Sequence, residues 1–230
     1  MEKIAFIGSY DKTDMMTYVA RLLTIMGKNV LMIDSTALQK TRYIIPTMQV
    51  ERQYITTFDR IDIAIGFENL EQIANYKKKE ENGEMDYDYI MVDIDSYKGY
   101  HNFNIKTEDK KYFVTSFDIY CLRRGLQVFR KLETMTPVTK VLFTKDMLAA
   151  EDEYLNYISR GLKIKWNSEI LYFPFESGDQ STIFANQRTG KIRVKGLSSQ
   201  YIDGVTYIAG EISGEKSGAI KKALKILERN

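Results

Sequence analysis

The sequence is poor in the residues that usually announce chemistry. It has one cysteine, Cys121, and one histidine, His101, in 230 residues. A lone cysteine excludes an internal disulfide, and a lone histidine beside it excludes a zinc cluster of the two types. A reducing cytoplasm is the compartment that fits. The chain also lacks a net field: 33 basic residues against 31 acidic leave +2, so binding to nucleic acid or to an anionic membrane would need a local patch. No apolar run is long enough to span a bilayer, and the N-terminus lacks the charged, apolar and small-residue succession of a secretory leader. A soluble protein, at most peripheral at a membrane, is expected.

What is present is a core. With 44% hydrophobic and 28% charged residues, residues 1–230 suit one large α/β domain. Ile4 to Ile7 and Asn29 to Asp34 are short apolar runs, and between them Met15, Met16, Val19, Leu22, Leu23 and Met26 recur at helical spacing before Gly27. This is a βαβ unit whose strands are apolar on both faces, the mark of a parallel sheet covered by helices on each side. Tyr54 to Phe58 and Ile61 to Ile65 are strand-like, and Leu70, Ile73 and Ala74 suggest a helix that ends in the charged run Lys77 to Gly83. Further strands are expected at Asp88 to Asp93, Tyr112 to Thr115, Val138 to Thr144 and Glu169 to Phe173. Helices are expected from about Asp118 to Leu132, around Leu155 and Ile158, and near Ser199 to Ile212 and Ala219 to Leu227. The alternation predicts a doubly wound, mostly parallel sheet.

In such a sheet ligands bind outside the carboxyl ends of the strands. Four of those ends carry suitable groups: Gly8 to Thr13, Asp34, Asp93 and Pro174. A strand that turns into a helix presents N–H groups and a positive dipole end to an anion. Gly8 and Ser9 would form the turn, Lys12 would pair with phosphate oxygens, Thr13 would place its hydroxyl on Mg²⁺, and Asp34 or Asp93 would hold the metal through water. Lys12 and Thr13 equally suit an ordinary helix start, and Asp34 and Asp93 a polar strand rim. His101 falls in the tyrosine-rich segment Tyr97 to Asn104, read as a loop. Cys121 suits a small buried role in a helix. Arg123 and Arg124 suit a helix surface or a phosphate contact, and Trp166 suits rim packing or stacking on a base. The basic residues Lys216, Lys221, Lys222, Lys225 and Arg229 flank a terminal helix that suits docking on the sheet or lying on a membrane surface.

The lysine and threonine that open the first helix, the Ile33-Asp34 strand end and the strand Tyr87-Asp88-Tyr89-Ile90-Met91-Val92-Asp93 resemble the ParA/MinD group of deviant Walker ATPases. Thr115-Ser116-Phe117, with Leu122, Gly125 and Leu126, is similar to that family's strand and helix beyond the Walker B aspartate, and Phe173-Pro174-Phe175-Glu176 is similar to its turn beside the base. Within the group, the pilus and secretion localisation proteins of the TadZ/CpaE kind look nearest. The resemblance implies a P-loop fold, a nucleotide site of Gly8, Ser9, Lys12, Thr13 and Pro174, Mg²⁺ on Thr13, Asp34 and Asp93, ATP as cofactor and a homodimer.

The departures from the family pattern carry as much weight. The family's signature lysine, which reaches across the dimer, is Ile7 here, and the glycine before the second lysine is Asp11. The second acidic residue after Asp34 is Thr36, and the adenine-reading asparagine falls at Thr144 or Lys145. A carboxylate at Asp11 sits where backbone should approach phosphate. The expectation is therefore a ParA/MinD-like fold with a decayed nucleotide site, non-enzymatic or at most a weak Mg-dependent ATPase. It would act as a dimerising scaffold or localisation factor for a larger complex such as a pilus or secretion machine. The alternative is an active partition or positioning ATPase that cycles on DNA or a membrane surface.

Overall fold

The computed structural model describes residues 1–46, 51–80, 83–144 and 149–229. Strands β1 (Glu2–Ile7), β2 (Val30–Asp34), β3 (Tyr54–Phe58), β4 (Ile61–Ile65), β5 (Tyr89–Ile94), β6 (Lys110–Ser116), β7 (Thr136–Thr144) and β8 (Ile164–Pro174) form one sheet. Its order is β3-β4-β2-β5-β1-β6-β7-β8. All neighbours run parallel except β3 and β4, an antiparallel hairpin at one edge. That hairpin turns through Asp59 and Arg60, both at positive φ (47° and 67°), which is the twist a two-residue hairpin loop requires.

The helices are α1 (Thr13–Ile25), α2 (Thr41–Ile44), α3 (Leu70–Glu80), α4 (Tyr97–Asn102), α5 (Ile119–Leu126), α6 (Ala149–Ile158), α7 (Ser177–Thr189), α8 (Ser199–Ser213) and α9 (Ser217–Leu227). Alternation along the strands divides the core into two layers. Phe6, Met32, Met91, Val114 and Phe143 pack under α1, α8 and α9, joined by Met16, Leu23, Val205, Ile208 and Leu227. Ile7, Ile33, Val92, Phe113 and Leu142 form the other layer with Ile73 of α3, Phe103 at the end of α4, Leu122 of α5 and Leu155 of α6.

Three local readings change. Tyr97 to Asn104 is not a loop: α4 covers its first six residues, because the Ser96 hydroxyl accepts from the Gly99 N–H at 3.2 Å and caps the first turn. The helix expected over Asp118 to Leu132 ends at Leu126 and tightens into a 3-10 turn, Gln127–Lys131. Helix α7 was not anticipated, since its apolar residues make no clear stripe.

Trp166 lies in β8 and packs on Phe113, ring centroids 5.7 Å apart, with its indole N–H donated to Ser159 at 3.1 Å. It is thus a packing residue rather than a platform for a base. Cys121 is buried, and burial raises its thiol pKa to about 11. Helix α9 seats Ala223 and Leu227 in the core and turns Lys221, Lys222 and Lys225 to water. The charged run Lys77 to Gly83 closes α3 as far as Glu80; Glu81 and Asn82 lie outside the described residues.

Candidate functional site

Central strand β1 leaves the sheet at Gly8. Its φ is +145°, and a Cβ there would lie 2.1 Å from the Val114 carbonyl oxygen, so only glycine fits. The Gly8 N–H donates to the Ile94 carbonyl at 2.9 Å, the last bond before the chain turns. Four residues later Lys12, 3% exposed, folds back across the turn. Its ammonium donates to the Gly8 carbonyl at 2.7 Å and lies 2.6 Å from Asp93 Oδ1. Burial raises the Asp93 pKa to about 7 against the pull of Lys12, and nearby Asp34 adds to the rise.

The start of α1 is answered in the same way. Asp11 Oδ1 accepts the Thr13 N–H at 3.2 Å, so a carboxylate of the chain occupies a helix N-terminus that a phosphate oxygen would use. Lys40, from the segment after β2, bonds Asp11 and also reaches Asp14 at 3.4 Å. Asp14 accepts both hydrogen bonds of the Gln187 amide, at 2.9 and 3.0 Å, and burial raises its pKa. Burial pulls the Lys40 pKa down, but Asp14 and Asp11 outweigh it and the net shift is upward.

Asp34, at the end of β2, is in register with Asp93. Its Oδ1 accepts from the Thr36 N–H at 3.0 Å and the Thr36 hydroxyl at 2.6 Å, and Oδ2 accepts from the Thr41 N–H at 3.0 Å. Thr36 therefore donates to Asp34 at the place where the family has a second carboxylate. Ile7 is fully buried in the layer under α3 to α6, so this position has no side chain to offer a partner.

Pro174 ends β8 and stands apart from this cluster, across a cleft of about 210 Å³ that it lines with Tyr10, Asp11, Lys40 and Phe143. The Tyr10 ring lies 4.7 Å from Phe143 and 6.2 Å from Phe175, and burial raises its pKa. Ser9 faces the other flank, its hydroxyl donating to the Cys121 carbonyl at 3.4 Å. Thr144 is in register with Pro174 and its hydroxyl meets Glu151 at 3.2 Å; Lys145 lies outside the described residues. Among the described residues no group of three or more histidine, cysteine or acidic side chains is placed to hold a metal.

The structure thus brings Gly8, Lys12 and Asp93 into direct contact, sets Asp34 beside them in register, and leaves Pro174 on a separate wall. Sequence reasoning missed Lys40 and Gln187, which come from distant segments. The Asp11 cap was legible: an aspartate two residues before a helix start is a known local acceptor for that start. A Mg²⁺–triphosphate would need the Thr13 N–H, the Lys12 ammonium and the carboxylates of Asp34 and Asp93, and each of these has a partner inside the chain. As folded, the donor set does not fit that group.

No protein-family model matches the sequence, and no curated protein does. Solved structures do match. The chain has the α/β fold of the MinD and ParA P-loop proteins. The MinC:MinD cell division complex of Aquifex aeolicus aligns over 94% of this chain and 97% of that one, at TM-score 0.63 and 18% identity. A ParA family ATPase from Chlorobium tepidum aligns over 90% and 97%, at 0.56 and 14%. A plasmid partition protein of Borrelia burgdorferi bound to AMPPNP aligns over 93% and 98%, at 0.54 and 13%. At these identities the likeness is one of fold.

Proposed function

We propose that this chain is a scaffold built on the MinD/ParA fold: one domain over residues 1–230 whose nucleotide site is closed by its own side chains. It serves as a dimerising localisation or assembly factor for a larger complex such as a pilus or secretion machine, without turning over ATP. The observation that carries this reading is the placement of Asp11 on the Thr13 N–H while Lys12 is spent on Asp93. A phosphate entering here would displace one buried carboxylate contact and meet the charge of another. One fold relative was solved with a protein partner, MinC, which is a precedent for a binding role. No helix among the described residues is long and apolar enough to cross a membrane.

The test is a calorimetric titration of ATP with and without Mg²⁺, together with phosphate release. The expected result is no saturation below about 1 mM, a weaker affinity than −4 kcal/mol of binding energy provides. Micromolar Mg-ATP binding with turnover that Lys12→Ala abolishes would overturn the proposal and favour the active ATPase.

A further inference from the structure

Helix α7 is held to the molecule differently from its neighbours. The buried face of α1 includes Met15, Met16, Val19, Leu22 and Leu23, and that of α8 includes Val205, Ile208 and Ile212. The buried residue of α7 is a carboxylate, Asp179, which accepts from the Ser198 N–H and hydroxyl just before α8. Ile183 is only partly buried against the core, and Phe184 is 50% exposed. Two side-chain amides fasten the far end of the helix. Gln187 donates to both Asp14 oxygens, at 2.9 and 3.0 Å, and Asn186 donates to the Tyr18 hydroxyl at 2.6 Å. Both acceptors belong to α1.

The chain on either side of α7 is seated in the core: Phe173 before it, and Ile192 and Val194 after it, are buried. Between these anchors Gly190 takes φ +61°, a left-handed turn that glycine makes without strain. A segment with seated ends, little apolar burial and polar fastenings opens locally, at a lower cost than the core. Beneath it lies the cleft of about 210 Å³, which α7 walls with Ile183 and Phe184. Small-molecule sites span about 300–1,000 Å³, so an occupant of that size needs the wall to move.

We propose that α7 is a strap over the cleft: it opens as a local unit between Glu176 and Gly190, released where Gln187 and Asn186 leave Asp14 and Tyr18, and so gates access to the wall of the β1–α1 turn. Asp14 also lies 3.4 Å from the Lys40 ammonium, and Lys40 bonds Asp11, which caps α1. The latch of the strap and the cap of the helix are therefore joined through Asp14 and Lys40. Opening uncovers Met15 and Asp14 whether or not nucleotide binds, so the strap stands independently of the closed-site reading.

Thiol labelling of the nucleotide-free chain with a maleimide tests it, in a Cys121→Ser background. Met15 is 1% exposed and lines the cleft, whereas Leu22, further along α1, is fully buried away from it. The Met15→Cys thiol is expected to react through strap opening, about tenfold or more faster than the Leu22→Cys thiol, which waits for global unfolding. Gln187→Ala removes hydrogen bonds to a charged acceptor and is expected to speed the reaction at position 15 by about tenfold, leaving position 22 unchanged. Equal rates at the two positions, or a Gln187→Ala effect that speeds both alike, would sink the strap. Hydrogen exchange on the unsubstituted chain decides the matter if the cysteine variants do not fold. Residues 177–189 are expected to exchange faster than 199–213, and equal protection of the two would overturn the proposal. The closed-site reading is judged by the ATP titration instead, so either can fail alone.

Discussion

Two lysines are buried to the same extent at opposite ends of the central strands, and their surroundings differ in one respect. Lys12 and Lys111 are each 3% exposed. Beyond the carboxyl end of β1, Lys12 meets a carbonyl and a carboxylate, Asp93, at 2.6 Å. Near the start of β6, Lys111 meets carbonyl oxygens, those of Thr107 at 2.9 Å and Asp109 at 2.5 Å. Burial lowers the Lys111 pKa to about 8, and Asp109 and Glu108 recover part of the loss through space. Equal burial therefore has unequal consequences. An ammonium answered by carbonyl dipoles alone has its charge only partly offset, whereas one beside a buried carboxylate has an opposite charge as its partner. Lys12 belongs to the second kind.

The largest effect should come from breaking that pair. Lys12→Met leaves Asp93 buried without its cation and is expected to cost about 3–5 kcal/mol, read as a drop in the urea midpoint. The double variant Lys12→Met/Asp93→Leu removes both charges and is expected to regain most of the loss. Lys111→Met strands only carbonyls, and its cost is expected to be about 1 kcal/mol. Similar costs for the two lysine variants would erase the distinction between the two ends.

The fold was largely legible because it is written in apolar periodicity. Both strands of the first βαβ unit, the Tyr89–Ile94 strand and the buried face of α1 fall where their hydrophobic runs place them. The hairpin was legible as two strands. Helix α7 was not, because a helix with no strong stripe has no period to detect. For the candidate site, the sequence displayed the residue types but not their partners. Asp11 was recognisable as an obstacle to phosphate, and its role as a cap follows from local spacing. The contacts of Lys40 with Asp11 and of Gln187 with Asp14 join segments 29 and 173 residues apart, and no local signal encodes pairings of that range. Whether Lys12 would point at a ligand or turn back to Asp93 was likewise undecidable from type and order alone, since both use the same ammonium.

A smaller effect of pH is expected at Lys111. Below about pH 8 Lys111 is protonated in both the folded and unfolded chain, and the fold carries the full cost of burying the charge. As pH rises from about 8 toward the ordinary lysine value near 10.4, the folded chain gives up this proton first. The unfolded chain then holds more protons, so this residue's contribution to stability rises with pH. The stability of wild type relative to Lys111→Met should increase across that window in parallel urea titrations. A flat difference would mean that the carbonyl cage tolerates the charge as well as a carboxylate does.

The smallest expected change in stability is also the most informative about the proposed closure of the turn. Asp11→Gly removes the acceptor at the Thr13 N–H and the nearer partner of Lys40, and is expected to cost about 1 kcal/mol, the size of a lost helix cap. It leaves the Lys12–Asp93 pair untouched. If Asp11 is what excludes anions, the variant should bind ATP measurably more tightly than wild type in the same titration, because a helix N-terminus and a Lys40 held by Asp14 alone then face the cleft together. Absence of any gain would place the closure in the Lys12–Asp93 pair instead, where the cost of separating two buried charges exceeds what one phosphate contact returns.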